Sequence, residues 1–357
     1  MKHARRGRSP LPAFAAVAAV VIVAALVGGV YLWEQRAAAS QPAPDTSRGK
    51  TVEEMLGLTE GGEAPVYFDG KWYQRAKGIE SYLFMGVDRR GEAESSGSYN
   101  DGGQADVQML LVLDHENKRF RVLQLNRDTM TDVYVLAMDL SVLGVEYEQL
   151  ALAHFYGDGL ESSGENTVRT VSNLLYGVPI DGYASLQMDS IPILNDMVGG
   201  VTVTIEDDLT PDDPTLVQGE TITLMGEHAF NYVHARMSVG DGTNLSRMRR
   251  HRTYMHGFEE QLKAKLTADQ SFVMDLYDAL QDYLVTDISV STLTYVAQQC
   301  LNYENGGILT VEGEAKVGAN DFMEFYPDEN DLRSIVLELF YEEAPAAREA
   351  GSEPSAD

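Results

Sequence analysis

Short apolar runs that lead into charged residues recur through the middle of the sequence. Run 81–87 leads into Asp88, and runs 107–113 and 120–125 lie on either side of the polar segment 115–118. Apolar runs of this length, bounded by polar turns, are typical of strands that are buried on both faces. The last two runs therefore predict neighbouring strands joined by a turn.

Helical patterns alternate with these runs. Residues 166–177 carry apolar side chains at helical spacing and stop at a glycine, which is typical of an amphipathic helix with a C-terminal cap. Strand-like segments follow at 182–188 and 201–205, and helical segments at 191–200, 224–236 and 245–266. The alternation predicts an α/β fold whose sheet is covered on both faces. Ligands in such folds bind where the carboxyl ends of strands meet the loops.

The net charge of the chain argues against one class of partner. Of the 357 residues, 55 are Asp or Glu and 27 are Lys or Arg, so the formal net charge is −28. Nucleic-acid phosphates bind basic surfaces, and no basic face is visible beyond the first few residues, so we expect no nucleic-acid partner. The single cysteine, Cys300, excludes an intramolecular disulfide.

The N-terminal residues predict the compartment. Residues 1–10 contain four Lys or Arg residues and no acid, and residues 11–33 carry no charge. A helix of about 20 apolar residues spans a bilayer core, and the positive-inside rule places the N-terminus in the cytoplasm. A cleaved signal peptide is the alternative, because small residues follow at 37–39, but a signal core has only about 7 to 15 apolar residues. We predict a single-pass protein of the cell membrane with its globular part extracellular.

The same reasoning gives the expected domain boundaries. Residues 34–65 and 344–357 include small, polar, proline-bearing stretches, which predicts a flexible linker and a disordered tail. Between them, 66–343 is expected to form one domain. It opens with a small hairpin, because Asp69-Gly70 lies between alternating apolar residues.

Two aspartates are candidates for a metal site. Asp88 ends one predicted strand and Asp106 begins the next. Carboxylates at neighbouring strand ends can share a hard cation such as Mg²⁺ through oxygen ligands. The alternative is that both are solvated surface residues of an acidic chain.

Arginines are the second group of candidates. Arg127 follows the apolar run 120–125 directly, and further arginines cluster within seventeen residues near the end of the helical region: Arg236, Arg247, Arg249, Arg250 and Arg252. The planar guanidinium binds phosphate oxygens through two hydrogen bonds, so the cluster predicts an anionic ligand. The alternative is a solvated helix stripe. Arg247 and Arg250 share one helix face, and Arg249 and Arg252 share another.

The order of these motifs resembles that of the LytR-CpsA-Psr family of cell-wall glycopolymer transferases. The resemblance covers residues 81–266. Its motifs are YLFMGVDRR at 82–90, QADVQMLLVLD at 104–114, LQLNRDTMTDV at 123–133, LAHFYGDG at 152–159, the segment 166–203, GEHAFNYVHAR at 226–236 and NLSRMRRHR at 244–252.

The resemblance implies a fold and a function. The fold is a three-layer α-β-α arrangement with a central mixed sheet. The function is that of a membrane-anchored, metal-dependent phosphotransferase that uses Mg²⁺ or Mn²⁺. Such an enzyme moves a phosphorylated glycan from a polyprenyl pyrophosphate carrier to peptidoglycan and forms a phosphodiester.

The resemblance also implies roles for individual residues. The metal carboxylates fall on Asp88 and Asp106, and the strand arginine that binds the pyrophosphate falls on Arg127. The other pyrophosphate-binding arginines fall on Arg236, Arg247 and Arg250. Asp128 is expected to orient Arg127, so that Asp88, Arg127 and Asp128 form the expected catalytic group.

The sequence departs from the family pattern at several positions. Gln104 and His234 stand where the family usually has arginines, and His251 stands where it usually has glutamine. Two fewer permanent positive charges lower the expected affinity for a diphosphate. The Gly- and Ser-rich insertion 92–103 is expected to form a mobile rim loop beside the site.

One competing function stays open at this level. A noncatalytic envelope protein that binds anionic glycans or polyprenyl phosphates would use the arginine cluster as a docking patch, although both aspartates favour an enzyme. The apolar helical segments 168–175, 191–198 and 272–280 either line a tunnel for the lipid tail or form core, and core is the simpler reading for most of them.

Overall fold

The computed structural model describes the chain from the predicted entry hairpin onward. The described residues are 66–97, 101–235, 244–269, 271–319 and 322–344. The predicted cytoplasmic tail, transmembrane helix and linker (1–65) and most of the predicted tail (345–357) lie outside these ranges. Within the ranges, no helix combines the length and hydrophobicity that a bilayer crossing requires.

Strands and helices alternate along the described residues as the sequence predicts. The strands are β1 (Val66–Phe68), β2 (Lys71–Arg75), β3 (Ile79–Val87), β4 (Ala105–Asp114), β5 (Arg119–Leu125), β6 (Met130–Leu136), β7 (Val142–Gln149), β8 (Gly182–Gln187), β9 (Val201–Thr204), β10 (Thr221–Leu224), β11 (Leu284–Thr286), β12 (Glu304–Thr310), β13 (Gly313–Val317), β14 (Met323–Pro327) and β15 (Tyr341–Glu343). The helices are α1 (Leu152–Phe155), α2 (Glu161–Leu174), α3 (Ser190–Val198), α4 (Glu227–His234), α5 (Asn244–Ala268), α6 (Phe272–Leu280), α7 (Val290–Asn302) and α8 (Glu329–Phe340).

A six-stranded sheet forms the centre of the described domain. Its strand order is β11-β8-β3-β4-β5-β12. β3 is parallel to β8 and β5 is parallel to β12, whereas β4 runs antiparallel to both of its neighbours and β11 antiparallel to β8. The predicted mixed central sheet is therefore confirmed.

Helices pack against both faces of this sheet, because successive strand residues point to opposite sides. On one face, Leu83, Leu110 and Leu123 belong to a core that includes residues of α2 and α8. On the other face, Phe84 and neighbouring strand residues pack against α7. A further core lies on this second side, where β8 meets α3, α4, α5 and α6.

The small hairpin at the start of the domain is confirmed. β1 and β2 pair antiparallel, and β15 adds to β2 as a third strand. Asp69 and Gly70 form the turn with φ values of 45° and 80°. Both residues adopt a left-handed backbone conformation, which an Asp-Gly turn between two strands favours.

Two predicted helices begin at other residues in the structure. α2 begins at Glu161, five residues before the predicted start, because small residues such as Ser163 and Gly164 fill its buried face. A Cβ on Gly164 would lie 2.1 Å from the ring of Tyr183, so an apolar side chain does not fit there. α4 begins at Glu227 rather than 224, since Leu224 pairs with β9 as the end of β10.

The candidate site lies where the central strands end, at the edge of the sheet that is formed by the carboxyl ends of β3 and β5. β3 and β5 are both antiparallel to β4, so the carboxyl ends of β3 and β5 lie beside the start of β4. Val87 at the end of β3 pairs with Ala105 at the start of β4. The segments that follow β3 and β5 and the start of β4 are therefore neighbours.

Candidate functional site

Strand ends bring the predicted residues of the central sheet together. Asp88 follows β3, Asp106 is the second residue of β4, and Arg127 and Asp128 follow β5. The backbone N–H of Asp88 donates to the carbonyl of Gln104 at 2.9 Å, which joins the end of β3 to the segment before β4. Asp88 is exposed, whereas Asp106 and Arg127 are largely buried.

Arg127 is held by three side chains. Its Nη1 donates to Asp106 Oδ1 and its Nη2 donates to Gln104 Oε1, while Nε lies 3.3 Å from Asp128 Oδ1. A guanidinium has five N–H groups in one plane. Partners on three different nitrogens around that plane fix both the position and the orientation of the group.

Asp128 is part of the interior rather than the surface. Its side chain is 3% exposed, and its backbone N–H donates to Asn126 Oδ1 at 3.0 Å. The carbonyl of Asp128 accepts from the N–H of Phe325 at 2.7 Å, which ties this segment to β14. The position of Asp128 beside Arg127 Nε agrees with the predicted orienting role, which stays a prediction.

Negative charge is concentrated around Asp106. Burial raises the pKa of Asp106 to about 6, the adjacent Arg127 guanidinium opposes this shift, and the charges of Asp88 and Asp128 raise the pKa further. The contribution of Asp88 means that the two predicted metal carboxylates interact electrostatically. A cation between them would relieve their repulsion.

The donor set fits a hydrated Mg²⁺ or Mn²⁺ ion better than a fully protein-coordinated metal. No group of three or more His, Cys, Asp or Glu side chains suited to metal binding occurs among the described residues. Mg²⁺ usually keeps several waters and takes only one or two carboxylates together with substrate phosphates. Asp88 and Asp106 can supply those two carboxylates.

The family is established by comparison with known proteins. The sequence profile of the LytR_cpsA_psr family matches residues 44–338, which is most of the chain. The chain belongs to this family. The match includes the strand ends that carry the two aspartates and Arg127.

Relatives of this LytR_cpsA_psr protein carry names from cell-wall synthesis. It is 25% identical over 263 residues to the polyisoprenyl-teichoic acid–peptidoglycan teichoic acid transferase TagU of Bacillus licheniformis, a match that covers 72% of this chain and 76% of TagU. It is also 25% identical over 319 residues to the cell wall biosynthesis protein LcpA of Corynebacterium glutamicum, covering 79% of this chain and 60% of LcpA.

Solved structures share the fold. The protein gbs0355 of Streptococcus agalactiae superimposes with a TM-score of 0.54 at 21% identity and covers 73% of this chain and 86% of its own. TagV of Bacillus subtilis gives a TM-score of 0.51 at 22% identity and covers 73% and 96%. At these identities the likeness concerns the fold alone.

Gln104, which stands where the resemblance leads us to expect an arginine, contacts Arg127 directly. Its side-chain oxygen accepts from Arg127 Nη2, so the substitution exchanges a second cation for a group that orients the first. The segment before Gln104 is held by His154, whose Nδ1 lies 3.0 Å and 3.1 Å from the carbonyl oxygens of Gly102 and Gly103. Burial lowers the pKa of His154 to about 4, so the ring is neutral and Nδ1 can donate.

The insertion 92–103 is only partly described. Residues 98–100 lie outside the described ranges. The two glycines that end the insertion are held by His154, so this end is fixed against α1. The predicted mobility of the rest stays a prediction.

Arg250 has hydrogen-bond partners other than the strand-end residues. Its side chain is 1% exposed, Nη1 donates to Asp207 Oδ2 at 2.9 Å, and Nη2 donates to the carbonyl of Ala235 at 2.8 Å. The Nε of Arg250 also contacts the carbonyl of Tyr232 at 3.4 Å. These contacts join α5 to the C-terminal end of α4 and account for Arg250 without a ligand.

Two of the other predicted arginines lie outside the described side chains. Arg236 lies outside the described residues, and Arg247 lies on α5 with its side chain outside the described part. His234, which replaces a usual family arginine, is exposed and stacks on Phe230 with ring centroids 4.8 Å apart. The predicted binding of a pyrophosphate by these positions stays a prediction.

Arg90 is a site residue that sequence reasoning missed. Its Nε lies 2.6 Å from Asp189 Oδ1, and its guanidinium lies 4.2 Å from the centroid of the Phe230 ring. Arg90 thereby connects the Asp88 segment to α4. Two adjacent arginines directly after a strand end are the signal that would have found it.

A small apolar cavity lies on the α7 side of the sheet. It is lined by residues of β3, β4 and β8 and by residues of α5, α6 and α7, including Phe84, Leu111, Leu186 and Leu276. Of the three apolar segments considered in the sequence, only 272–280 lines this cavity. Segment 168–175 packs on the opposite face, and 191–198 contributes to the core between helices.

Proposed function

We propose that this protein is a membrane-anchored phosphotransferase. Its substrate is a phosphorylated glycan on a polyprenyl pyrophosphate carrier, and its acceptor is a hydroxyl group of peptidoglycan. The observation that carries the proposal is the fixation of Arg127 by Asp106 and Gln104 at the sheet edge beside Asp88. The transferase name of the relative TagU supports the same class of reaction.

The proposed reaction breaks one P–O bond and forms another. The acceptor hydroxyl oxygen attacks the phosphorus that bears the glycan, and the bond from this phosphorus to the bridging oxygen breaks. The bridging oxygen and its electron pair leave with the carrier as polyprenyl phosphate. The hydroxyl proton passes to a base, and the product is a phosphodiester between glycan and peptidoglycan.

Arg127 stabilises the negative charge that develops on the phosphate oxygens in the transition state. Charge spreads over the nonbridging and bridging oxygens in a phosphoryl-transfer transition state. A guanidinium that is already oriented stabilises this charge without reorganisation, which is the main source of catalysis by fixed donors. Asp106, Gln104 and Asp128 act on this charge indirectly, because they hold the guanidinium in place.

Asp88 and Asp106 would hold the divalent cation. When bound, Mg²⁺ or Mn²⁺ supplies positive charge to the diphosphate oxygens. The role of the two carboxylates is to bind the ion at the sheet edge, within reach of a phosphate that Arg127 contacts. We place the start of the carrier's apolar tail at the cavity beside α6, because the lining of that cavity is apolar.

Transfer should depend on Asp106 more strongly than carrier binding does. We expect Asp106→Asn to lower the transfer of a labelled phosphoglycan from carrier to peptidoglycan by about tenfold to hundredfold, the range for damaged metal-site contacts. The assay uses the full-length protein in vesicles, with carrier binding measured separately. Asp208→Asn is the matched control, since Asp208 is fully exposed and bonds only to Thr210 among the described residues.

The same assay separates the enzyme from its main alternative. A noncatalytic glycan-binding protein is favoured by one observation, the replacement of two usual family arginines by Gln104 and His234. Such a protein would bind the carrier and transfer nothing, in wild type and in both variants. That outcome would replace the proposed activity by the binding function.

Cation binding should weaken as the pH falls through about 6. A divalent cation binds the ionised carboxylate and competes with the proton, and the pKa of Asp106 is raised to about 6. Affinity should therefore be full above that pKa and decline progressively below it. Calorimetric titration of Mn²⁺ into the full-length protein at several pH values measures this, and equal affinities on both sides of pH 6 would remove Asp106 from the ion's ligands.

A further inference from the structure

Exposed apolar side chains are concentrated in the β6–β7 hairpin. Fifteen large apolar side chains are exposed among the described residues, and six of them lie in this hairpin: Met138, Leu140, Val142, Leu143, Val145 and Tyr147. Met138 and Leu143 are 83% and 73% exposed. Leu143, Val145 and Tyr147 alternate along β7 and so lie on one face of the strand. An exposed apolar face of this kind marks a contact with a partner or a membrane.

The hairpin presents these side chains along its length. Every residue from Val142 to Tyr147 in β7 is exposed, and within the described residues β7 pairs only with β6. At the tip, Leu140 has a φ of 64°. A leucine rarely adopts this left-handed conformation, and its cost is one that proteins usually accept at functional positions.

We propose that the face of β7 that carries Leu143, Val145 and Tyr147 rests on the lipid bilayer to which the chain is anchored. This inference depends on the proposed membrane anchor and is independent of the transfer chemistry. The hairpin is attached directly to the candidate site, because Met130 at the start of β6 is three residues from Arg127 and pairs with Gln149. A face that lies flat on the bilayer brings this end of the hairpin, and the site with it, towards the carrier's head group.

The anchor alone does not orient the domain in this way. The chain enters at β1 and β2, next to the start of β3, whereas the site lies at the end of β3, about 30 Å away for nine strand residues. The segment 34–65 reaches up to about 110 Å when extended. It is long enough for either end of the sheet to face the bilayer, so a second contact must select the orientation.

Charge argues against a second copy of the chain and equally disfavours a strongly anionic bilayer, so the surface that we propose is a zwitterionic one. Two copies, each with a net charge of −28, repel each other, and β7 itself carries Glu146 and Glu148. Asp139 at the tip accepts hydrogen bonds from Ser141, which lowers its pKa and keeps it ionised. An ionised tip residue limits the contact to a shallow one, with Met138 and Leu143 below the head groups and Asp139 among them.

Site-specific fluorescence tests the contact. Leu143→Cys in the full-length protein is labelled with an environment-sensitive dye and reconstituted in vesicles of phosphatidylcholine and phosphatidylethanolamine. Cys300 is fully buried and its pKa is raised to about 12, so it does not compete for the label. Glu116→Cys, in the β4–β5 turn at the opposite end of the sheet, is the matched control, and Trp72→Cys reports on the β1–β2 hairpin.

The proposal predicts quenching of the label at 143 by spin labels on the lipid acyl chains, and none at 116. Quenching at 72 but not at 143 would show that the other end of the domain faces the bilayer and would overturn the proposal. Protection of 143 from both lipid and aqueous quenchers would show a protein contact and would overturn it equally.

Activity gives a second readout. Leu143→Asp should lower transfer from a carrier embedded in vesicles by roughly tenfold, the effect of losing one leucine contact. Transfer from a short-chain carrier in detergent should be unchanged. A loss with both carriers would assign Leu143 to the domain's folding or chemistry and contradict a bilayer role, whereas failure of wild type in both assays would instead contradict the proposed function.

Discussion

Arg127→Lys is expected to lower transfer by about 10²-fold to 10³-fold while the protein melts like wild type. Lysine keeps the positive charge, so the carboxylates of Asp106 and Asp128 keep a cationic neighbour and the fold is retained. It lacks the planar set of N–H groups that faces Asp106 and Gln104 together. Loss of one fixed donor to developing charge usually costs a factor of this size.

Arg121→Lys is the matched control for Arg127. Arg121 lies on the same strand, β5, and forms an ion pair with Glu338 on α8. Substitution there should change the free energy of unfolding by no more than about 0.5 kcal/mol and leave turnover unchanged. Release of polyprenyl phosphate measures turnover, and a thermal melt measures folding. An Arg127→Lys protein with wild-type turnover would remove Arg127 from the proposed transition state.

Arg250→Met is expected to destabilise the fold by about 3 to 5 kcal/mol, which corresponds to a melting temperature lower by roughly 6 to 15 °C. The guanidinium of Arg250 is buried and paired with Asp207, and it also donates to the carbonyl of Ala235. Methionine fills similar space but leaves the carboxylate and the carbonyl without this donor. The cost comes from those buried polar groups.

Arg250 and a ligand-binding arginine predict different results. His256→Ala on the same helix is the control, because His256 is 74% exposed and should change stability by no more than about 0.5 kcal/mol. If Arg250→Met melts like wild type and loses affinity for the carrier, Arg250 binds the pyrophosphate as the sequence predicts. A large loss of stability with unchanged affinity per folded molecule identifies it as a structural residue.

The sequence predicts the central sheet well because the strands are continuous apolar runs. Runs 81–87, 107–113 and 120–125 coincide with β3, β4 and β5, so Asp88 after β3, Asp106 at the start of β4 and Arg127 after β5 lie at one end of these strands. The sequence does not predict that β8 pairs with β3. That neighbour is separated by about a hundred residues, and pairing over such distances depends on how the helices between them pack.

Side-chain partners are harder to predict than strand positions. From the sequence, Arg250 looks like one of several exposed arginines. Its burial depends on an ion pair with Asp207, which lies 43 positions away in the sequence. Gln104 reads as a lost positive charge, whereas the structure gives it a hydrogen bond to Arg127. Both outcomes depend on contacts between distant segments, which periodicity and composition do not contain.

An isotope experiment tests the central claim most directly. The carrier is prepared with oxygen-18 at the bridging position of its diphosphate and incubated with the full-length protein and peptidoglycan fragments, and both products are analysed by mass spectrometry. We predict that the whole label leaves with polyprenyl phosphate and that the glycan is joined to peptidoglycan through an unlabelled phosphodiester. Label in the glycan product, or release of an intact polyprenyl diphosphate, would show that a different bond is broken and would contradict the proposed mechanism.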